Sequence, residues 1–185
     1  QLDACNTDTC KLRLLNLISE STDDIDVWPA YTKRALYLAQ KLASSSDSVI
    51  RKFAEVELSR AYNNSGLYQN YSGNITEAHQ LLLQGLELSK KHHQLKLESE
   101  ILHNLGSLYF DLGESEVAQQ YFLQSKSISE MEGDTISVAL SNSYLGMVAL
   151  RAKKYVQAMQ LFKQAETIFR DRNQEIDYYK TLVNI

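Results

Sequence analysis

The side chains that could do chemistry in this chain are few and scattered. Cys5 and Cys10 are its two cysteines. In an oxidising compartment they could close a small loop as a disulfide, but their spacing alone leaves two free thiols equally open. Two cysteines with no nearby histidine fall short of the four ligands of a structural zinc site. We therefore predict no metal site and no cofactor.

Catalytic motifs are also missing from the sequence. Successive helix residues such as His92 and His93 point about 100° apart, so they cannot easily share one metal ion and are better explained as a solvated helix end. The sequence contains no glycine loop for phosphate, no His-Glu-x-x-His and no nucleophile elbow. We predict that this segment has no catalytic residues and is not an enzyme.

The composition favours helices and excludes several classes of partner. Seven glycines and one proline are too few for a many-stranded fold and suit helices joined by short turns. A net charge of −4 gives no basic surface, so a nucleic-acid partner is not expected. No apolar stretch approaches the roughly 18–20 residues of a membrane span, so we expect no membrane contact by this segment.

A repeat of 40 residues organises most of the chain. Five sets of positions recur three times at this step: Gly66, Gly106 and Gly146; Ala78, Ala118 and Ala158; Leu82, Phe122 and Phe162; Gly85, Ser125 and Ala165; Leu88, Ile128 and Ile168. A fixed period of this length is typical of a solenoid, in which each unit buries its apolar face against its neighbours. Each unit reads as two helices, which predicts an all-α fold.

The domain organisation follows from this frame. We predict a flexible N-terminus over residues 1–9, a divergent N-terminal helix pair over residues 10–48, and three repeats plus the start of another helix pair over residues 49–185. Pro29 suits the first turn of a helix in the divergent pair. Because a solenoid normally ends in a polar capping element and none is visible here, we expect the natural protein to continue past Ile185.

The repeated small residues predict how the helices pack. A glycine in a helix interior costs about 1 kcal/mol relative to alanine, so Gly66, Gly106 and Gly146 need a compensating contact. We expect close approach of the partner helix, with the three repeated alanines acting likewise and Leu82, Phe122 and Phe162 filling the remaining space. Gly73 and Gly113 lie in predicted turns where positive φ is needed, and Lys153 replaces them in the third unit.

These residues resemble the tetratricopeptide repeat. The resemblance rests on a Leu-Gly pair, an aromatic three residues later and a later Ala and Phe: Leu105, Gly106, Tyr109, Ala118 and Phe122, and again Leu145, Gly146, Ala158, Phe162 and Ala165. The usual unit has 34 residues, whereas this one has 40, and the usual proline is missing. The resemblance implies a right-handed superhelical solenoid of antiparallel helix pairs.

A narrower resemblance concerns the first repeat. The segments Ala61–Gly66, Gly73-Asn74 and Gly85–Lys90, preceded by Leu14-Leu15-Asn16, are similar to the extracytoplasmic repeat regions of sensor histidine kinases from Bacteroidetes-type bacteria. This resemblance implies a periplasmic sensor in a two-component system, with a kinase domain in the full-length protein. Two alternatives stay open: a cytoplasmic repeat scaffold, and a repeat-containing transcriptional regulator.

The resemblance also implies where a partner binds, because the first helix of each pair lines the groove in this family. The positions that it assigns to the groove are Asn63, Leu67, Asn70, Tyr71, His103, Ser107, Phe110, Asp111, Ser143, Met147, Leu150 and Arg151. Their mixture of apolar and amide side chains suits a protein or peptide segment, or a second copy of the chain in a homodimer. The Lys/Asn/Arg set with which related chaperone adaptors bind a C-terminal carboxylate is absent.

Overall fold

In the computed structural model, residues 5–21 and 27–171 are described, and they form eight α-helices with no strand. The helices are α1 (Asp8–Ser21), α2 (Trp28–Ala43), α3 (Ser48–Tyr71), α4 (Ile75–Lys91), α5 (Leu95–Asp111), α6 (Ser115–Glu132), α7 (Thr135–Arg151) and α8 (Tyr155–Asp171). The predicted all-α fold of consecutively paired helices is confirmed. The residues from 175 onward, where another helix pair was expected to start, lie outside the described residues.

The chain divides into two compact units. Unit 1 spans residues 1–94 and contains α1 to α4, and unit 2 spans residues 95–185 and contains α5 to α8. Within each unit, helices that follow one another along the chain pack against each other.

The turns between paired helices share one backbone conformation. Gly73, Gly113 and Lys153 have φ angles of 80°, 83° and 59°, which confirms the positive φ predicted for the two glycines. In each turn the next residue donates its N–H to a carbonyl five residues back, as Lys154 does to Ala149. This bond closes the helix end in a Schellman motif, which needs a left-handed residue. Lys153 adopts that conformation despite its Cβ, because the bonds of the motif are the same.

Hydrogen bonds and contacts along α3 and α4 show that this pair is antiparallel. Glu55 near the start of α3 pairs with Lys91 and His92 at the end of α4. Further along α3, the Ser59 hydroxyl donates to the Gly85 carbonyl at 2.8 Å. The partner positions thus run backwards along α4 as the residue number rises along α3.

The repeated glycines make room for a side chain of the partner helix. A Cβ placed at Gly106 would lie 2.7 Å from two ring carbons of Phe122, and one at Gly146 would lie 2.6 Å from the Phe162 ring. At Gly66 the corresponding contact is 2.8 Å to Leu82 Cγ. We expected close approach of the partner helix itself, but in unit 2 the nearest atoms belong to the aromatic ring, which occupies the space that the missing Cβ leaves.

Helix α1 is attached to α3 through buried polar groups. The Asn16 amide donates to the Glu57 side chain at 2.8 Å and to the Glu57 carbonyl oxygen at 3.0 Å, and both residues are buried. Cys5 and Cys10 form a disulfide at the N-terminal end of this helix. The cysteines, whose pairing the sequence left open, are thus joined in the structure.

Candidate functional site

In unit 1 the predicted groove residues differ widely in exposure. Asn63 is only 6% exposed, so little of its side chain is open to a ligand. Asn70 is half-buried, whereas Leu67 and Tyr71 are exposed, Tyr71 at 69%. The position of Asn63 on α3 turns inward, where Ser59, Asn64 and Ser65 are also buried.

An aromatic neighbour that the sequence analysis did not select joins this end of α3. The Trp28 ring lies 5.6 Å from that of Tyr68 in an edge-on arrangement and 6.3 Å from that of Tyr71. Trp28 opens α2, and no repeat position marks it, because it lies in the divergent helix pair. In the sequence, the one feature that could have indicated this contact was a large apolar side chain at the start of a helix.

In unit 2, two predicted residues from successive repeats contact each other directly. The Arg151 guanidinium lies 3.7 Å from the centroid of the Phe110 ring, and its Nη1 donates to the Phe110 carbonyl oxygen at 2.5 Å. The stack and the hydrogen bond fix the orientation of the guanidinium at the C-terminal ends of α5 and α7. A cation above a ring face is attracted by the ring quadrupole, and a cation also suits a helix C-terminus.

Exposed residues surround this pair. Leu150 is 40% exposed, Asp111 is exposed and Ser107 is half-buried. We call Ser107, Phe110, Asp111, Leu150 and Arg151 the α5–α7 face. It offers one apolar side chain, an aromatic ring covered by a guanidinium, and a carboxylate.

Two of the other predicted groove residues of unit 2, His103 and Met147, have packing contacts. His103 lies between two rings, 4.7 Å from Tyr144 and 5.3 Å from Phe122 between centroids. Burial lowers the pKa of His103 to about 4, so its imidazole is neutral near pH 7. Met147 packs against the cluster of Ala149, Ala158 and Phe162, and Ser143 is half-buried. His103 and Met147 thus take part in the packing of unit 2.

The electrostatics of the face are set by Arg151. Within residues 5–21 and 27–171 no carboxylate forms an ion pair with its guanidinium. Guanidinium carries five N–H donors in a planar fork, and the Phe110 carbonyl uses one of its nitrogens. The remaining donors can therefore bind a carboxylate or carbonyl oxygen of a partner, while Leu150 contacts an apolar side chain.

Two features are absent from the described residues: clusters of metal ligands and helices that could span a membrane. No group of three or more His, Cys, Asp or Glu side chains in these ranges could hold a metal ion. Among the helices described, none has the length and apolar character to cross a membrane.

Comparison with known proteins agrees with the fold of paired helices. Residues 97–171 match the tetratricopeptide repeat family, and the comparison with curated proteins gives no match. BtubC from P. vanneervenii is similar in structure, with a TM-score of 0.74 and 16% identity over 96% of this chain and 71% of that one.

A second similar structure is that of a Signal Transduction ATPase with Numerous Domains protein with a tetratricopeptide repeat sensor, from Pyrococcus horikoshii. Its TM-score is also 0.74, at 16% identity over 98% of this chain. This chain corresponds to 27% of the length of that protein. At such identities the likeness of both structures concerns the fold alone.

Proposed function

We propose that this chain, whose residues 97–171 are tetratricopeptide repeats, binds a segment of a partner protein on its α5–α7 face. Repeats of this family are non-catalytic modules that bind proteins. The observation that carries the proposal is the Arg151 guanidinium, which is stacked on Phe110 and has no carboxylate partner in the described part of the chain.

The arrangement suits a peptide for physical reasons. Arginine and aromatic residues are enriched among the side chains that dominate binding energy at protein interfaces. The stack at 3.7 Å and the bond to the Phe110 carbonyl hold the guanidinium before a partner arrives. A side chain ordered in advance loses less conformational entropy on binding. Leu150 beside it supplies an apolar contact at 40% exposure.

Selection of peptides from a displayed library tests this proposal. Peptides that bind the full chain would be measured by calorimetry against wild type and against Phe110→Ala and Arg151→Ala. We expect each variant to weaken binding at least about tenfold, as truncation of an interface hot spot does, with helicity unchanged by circular dichroism. The matched control is Gln160→Ala, an exposed residue of α8, which should bind like wild type. Equal affinity for all four proteins would contradict the proposal.

We further propose that the chain is the extracytoplasmic sensor region of a bacterial two-component histidine kinase. The Cys5–Cys10 disulfide supports an oxidising compartment, since disulfides are rare in the cytosol. One of the similar structures is that of a signal transduction ATPase with a tetratricopeptide repeat sensor. Binding of a segment by the α5–α7 face would bias the signalling protein toward one of its conformations.

Two measurements test the sensor proposal. The first is the sequence of the reading frame on both sides of this chain. A leader, a membrane span and a kinase-type histidine motif would support it, whereas a frame without leader or span would favour a cytoplasmic scaffold or regulator. The second is maleimide labelling of the protein in its own cells. Labelling of Cys5 and Cys10 only after reduction supports the extracytoplasmic location, and labelling without reductant contradicts it.

A further inference from the structure

Unit 2 contains a small apolar groove formed by α6, α7 and α8. Its floor consists of the buried residues Leu145, Val148 and Ala149 of α7. Leu123 of α6 and Leu161 of α8 form its walls, and Leu123 is 48% exposed. The cavity has a volume of about 120 Å³.

The groove and the α5–α7 face use different residues of α7. Successive side chains of a helix point about 100° apart around its axis. On this basis the side chains of α7 that line the groove point, on average, about 165° away from those of the predicted groove residues of the same helix. The lining side chains are Leu145, Val148, Ala149 and Ala152. The predicted groove residues are Ser143, Met147, Leu150 and Arg151. A ligand in the groove and a peptide on the α5–α7 face therefore contact different residues of α7, although Phe110 packs against the cluster that contains Leu145 and Val148 of the groove floor.

The volume of the groove sets the size of its occupant. An apolar cavity of about 150 Å³ in a protein accepts a molecule as large as benzene. The groove, at about 120 Å³, accordingly accommodates one branched aliphatic side chain. About half of the surface of Leu123 faces water when the groove is empty. A side chain that fills the groove would therefore give Leu123 a new apolar contact.

The charge around the groove favours an acidic occupant. Lys126 and Lys154 line it together with Gln119 and Gln157, and none of its lining residues is acidic. The chain as a whole carries a net charge of −4, so this positive site is a local exception. Lys126 pairs with Glu130 at 3.7 Å one turn along α6. Such a helical pair is weak, so a carboxylate of a partner can compete for the ammonium group.

We propose that this groove binds a short acidic segment of a partner protein, which inserts one leucine-sized side chain between Leu123 and Leu161. Carboxylates that flank the inserted side chain pair with Lys126 and Lys154. The floor supplies affinity by burying apolar surface, and the two lysines select acidic over neutral sequences.

Methyl NMR of the full chain with three synthetic peptides tests this proposal. The acidic probe is acetyl-Asp-Glu-Leu-Glu-Asp-amide, the neutral control is acetyl-Asn-Gln-Leu-Gln-Asn-amide, and the third peptide replaces the leucine of the probe by alanine. We expect the acidic leucine peptide to shift the methyl signals of Leu123, Val148 and Leu161 at millimolar concentration. The neutral peptide should bind about fivefold more weakly, because two exposed ion pairs are lost, and the alanine peptide should bind at least as weakly.

Matched variants separate the groove from general effects of charge and hydrophobicity. Lys126→Gln and Lys154→Gln should each weaken the acidic peptide, whereas Lys163→Gln, outside the lining, should not. Leu123→Asp should abolish binding, whereas Leu83→Asp changes an exposed leucine one repeat earlier, outside the groove, and should leave it intact.

Three results would overturn the proposal: no shifts at the groove methyls, equal affinity for the acidic and neutral peptides, or equal effects of the groove and control variants. Each of these results leaves the α5–α7 face unaffected, because Phe110 and Arg151 are unchanged in every variant.

Discussion

Replacing Gly106 by alanine probes the contact that joins α5 to α6. The new Cβ would lie 2.7 Å from two carbons of the Phe122 ring and 3.0 Å from a third. Phe122 is fully buried, so the ring cannot move into solvent to avoid the methyl group. The backbone of one helix must shift instead, or the ring must leave its preferred rotamer.

The expected magnitude combines two opposing effects. Overpacking of a core costs about 1–3 kcal/mol, and contact with two ring carbons places this site in the upper part of that range. Alanine recovers about 1 kcal/mol of helix propensity relative to glycine. We therefore expect Gly106→Ala to lower the free energy of unfolding by about 1–2 kcal/mol. If the Phe122 ring is removed, Gly106→Ala should instead raise the free energy of unfolding, because the methyl group then fills vacated space.

A double-mutant cycle with Phe122→Ala measures this reversal. Urea unfolding followed by circular dichroism would give the free energies of all four proteins, with trimethylamine N-oxide present to keep the weakest folded. Gly133→Ala is the control, since its φ is +71° and no atom lies within 4 Å of its added Cβ. The change in the free energy of unfolding caused by Gly133→Ala should be the same with and without the Phe122 side chain. If Gly106→Ala stabilised the protein equally with and without the ring, the packing argument would be wrong.

Three further predictions concern stability. Because burial lowers the pKa of His103 to about 4 and unfolded histidine titrates near 6.5, the unfolded chain binds the extra proton between these values. The free energy of unfolding should therefore fall by up to about 3 kcal/mol as pH decreases through this window. His103→Phe should remove this pH-dependent loss, which urea titrations at several pH values would measure. An unchanged pH dependence in the variant would contradict the prediction. Lys153→Gly should raise the free energy of unfolding by about 1 kcal/mol, since φ is 59° there, and a lower melting temperature would refute this. Asp47→Ala should cost about 1 kcal/mol because its carboxylate accepts from the N–H groups of Val49 and Ile50; unchanged urea midpoints would count against the cap.

The repeat explains why so much of the fold could be predicted. A 40-residue step places Gly106 opposite Phe122 and Gly146 opposite Phe162 in the same way, so one pattern describes several contacts. The turns were also predictable, because glycine at residues 73 and 113 signals a left-handed conformation. Lys153 could be assigned to the same conformation only through its place in the repeat.

Contacts outside the repeat pattern could not be predicted. The hydrogen bond between Asn16 and Glu57 joins residues that are 41 positions apart in the sequence. Asn16 lies in the divergent helix pair, which the 40-residue repeat does not include. The burial of Asn63 depends on neighbours that a single helix pattern does not specify. Phe110 and Arg151 were both candidates, but their stacking needs the ends of α5 and α7 to meet, a property of the packed unit.

The α5–α7 face is tested most directly by an NMR titration of the full chain with a library-selected peptide, which maps the amide signals that change. We predict that the largest changes cluster on Ser107, Phe110, Leu150 and Arg151, and that the Arg151 side-chain signal moves with them. Changes confined to other residues, or the same map with the Phe110→Ala variant, would contradict the account.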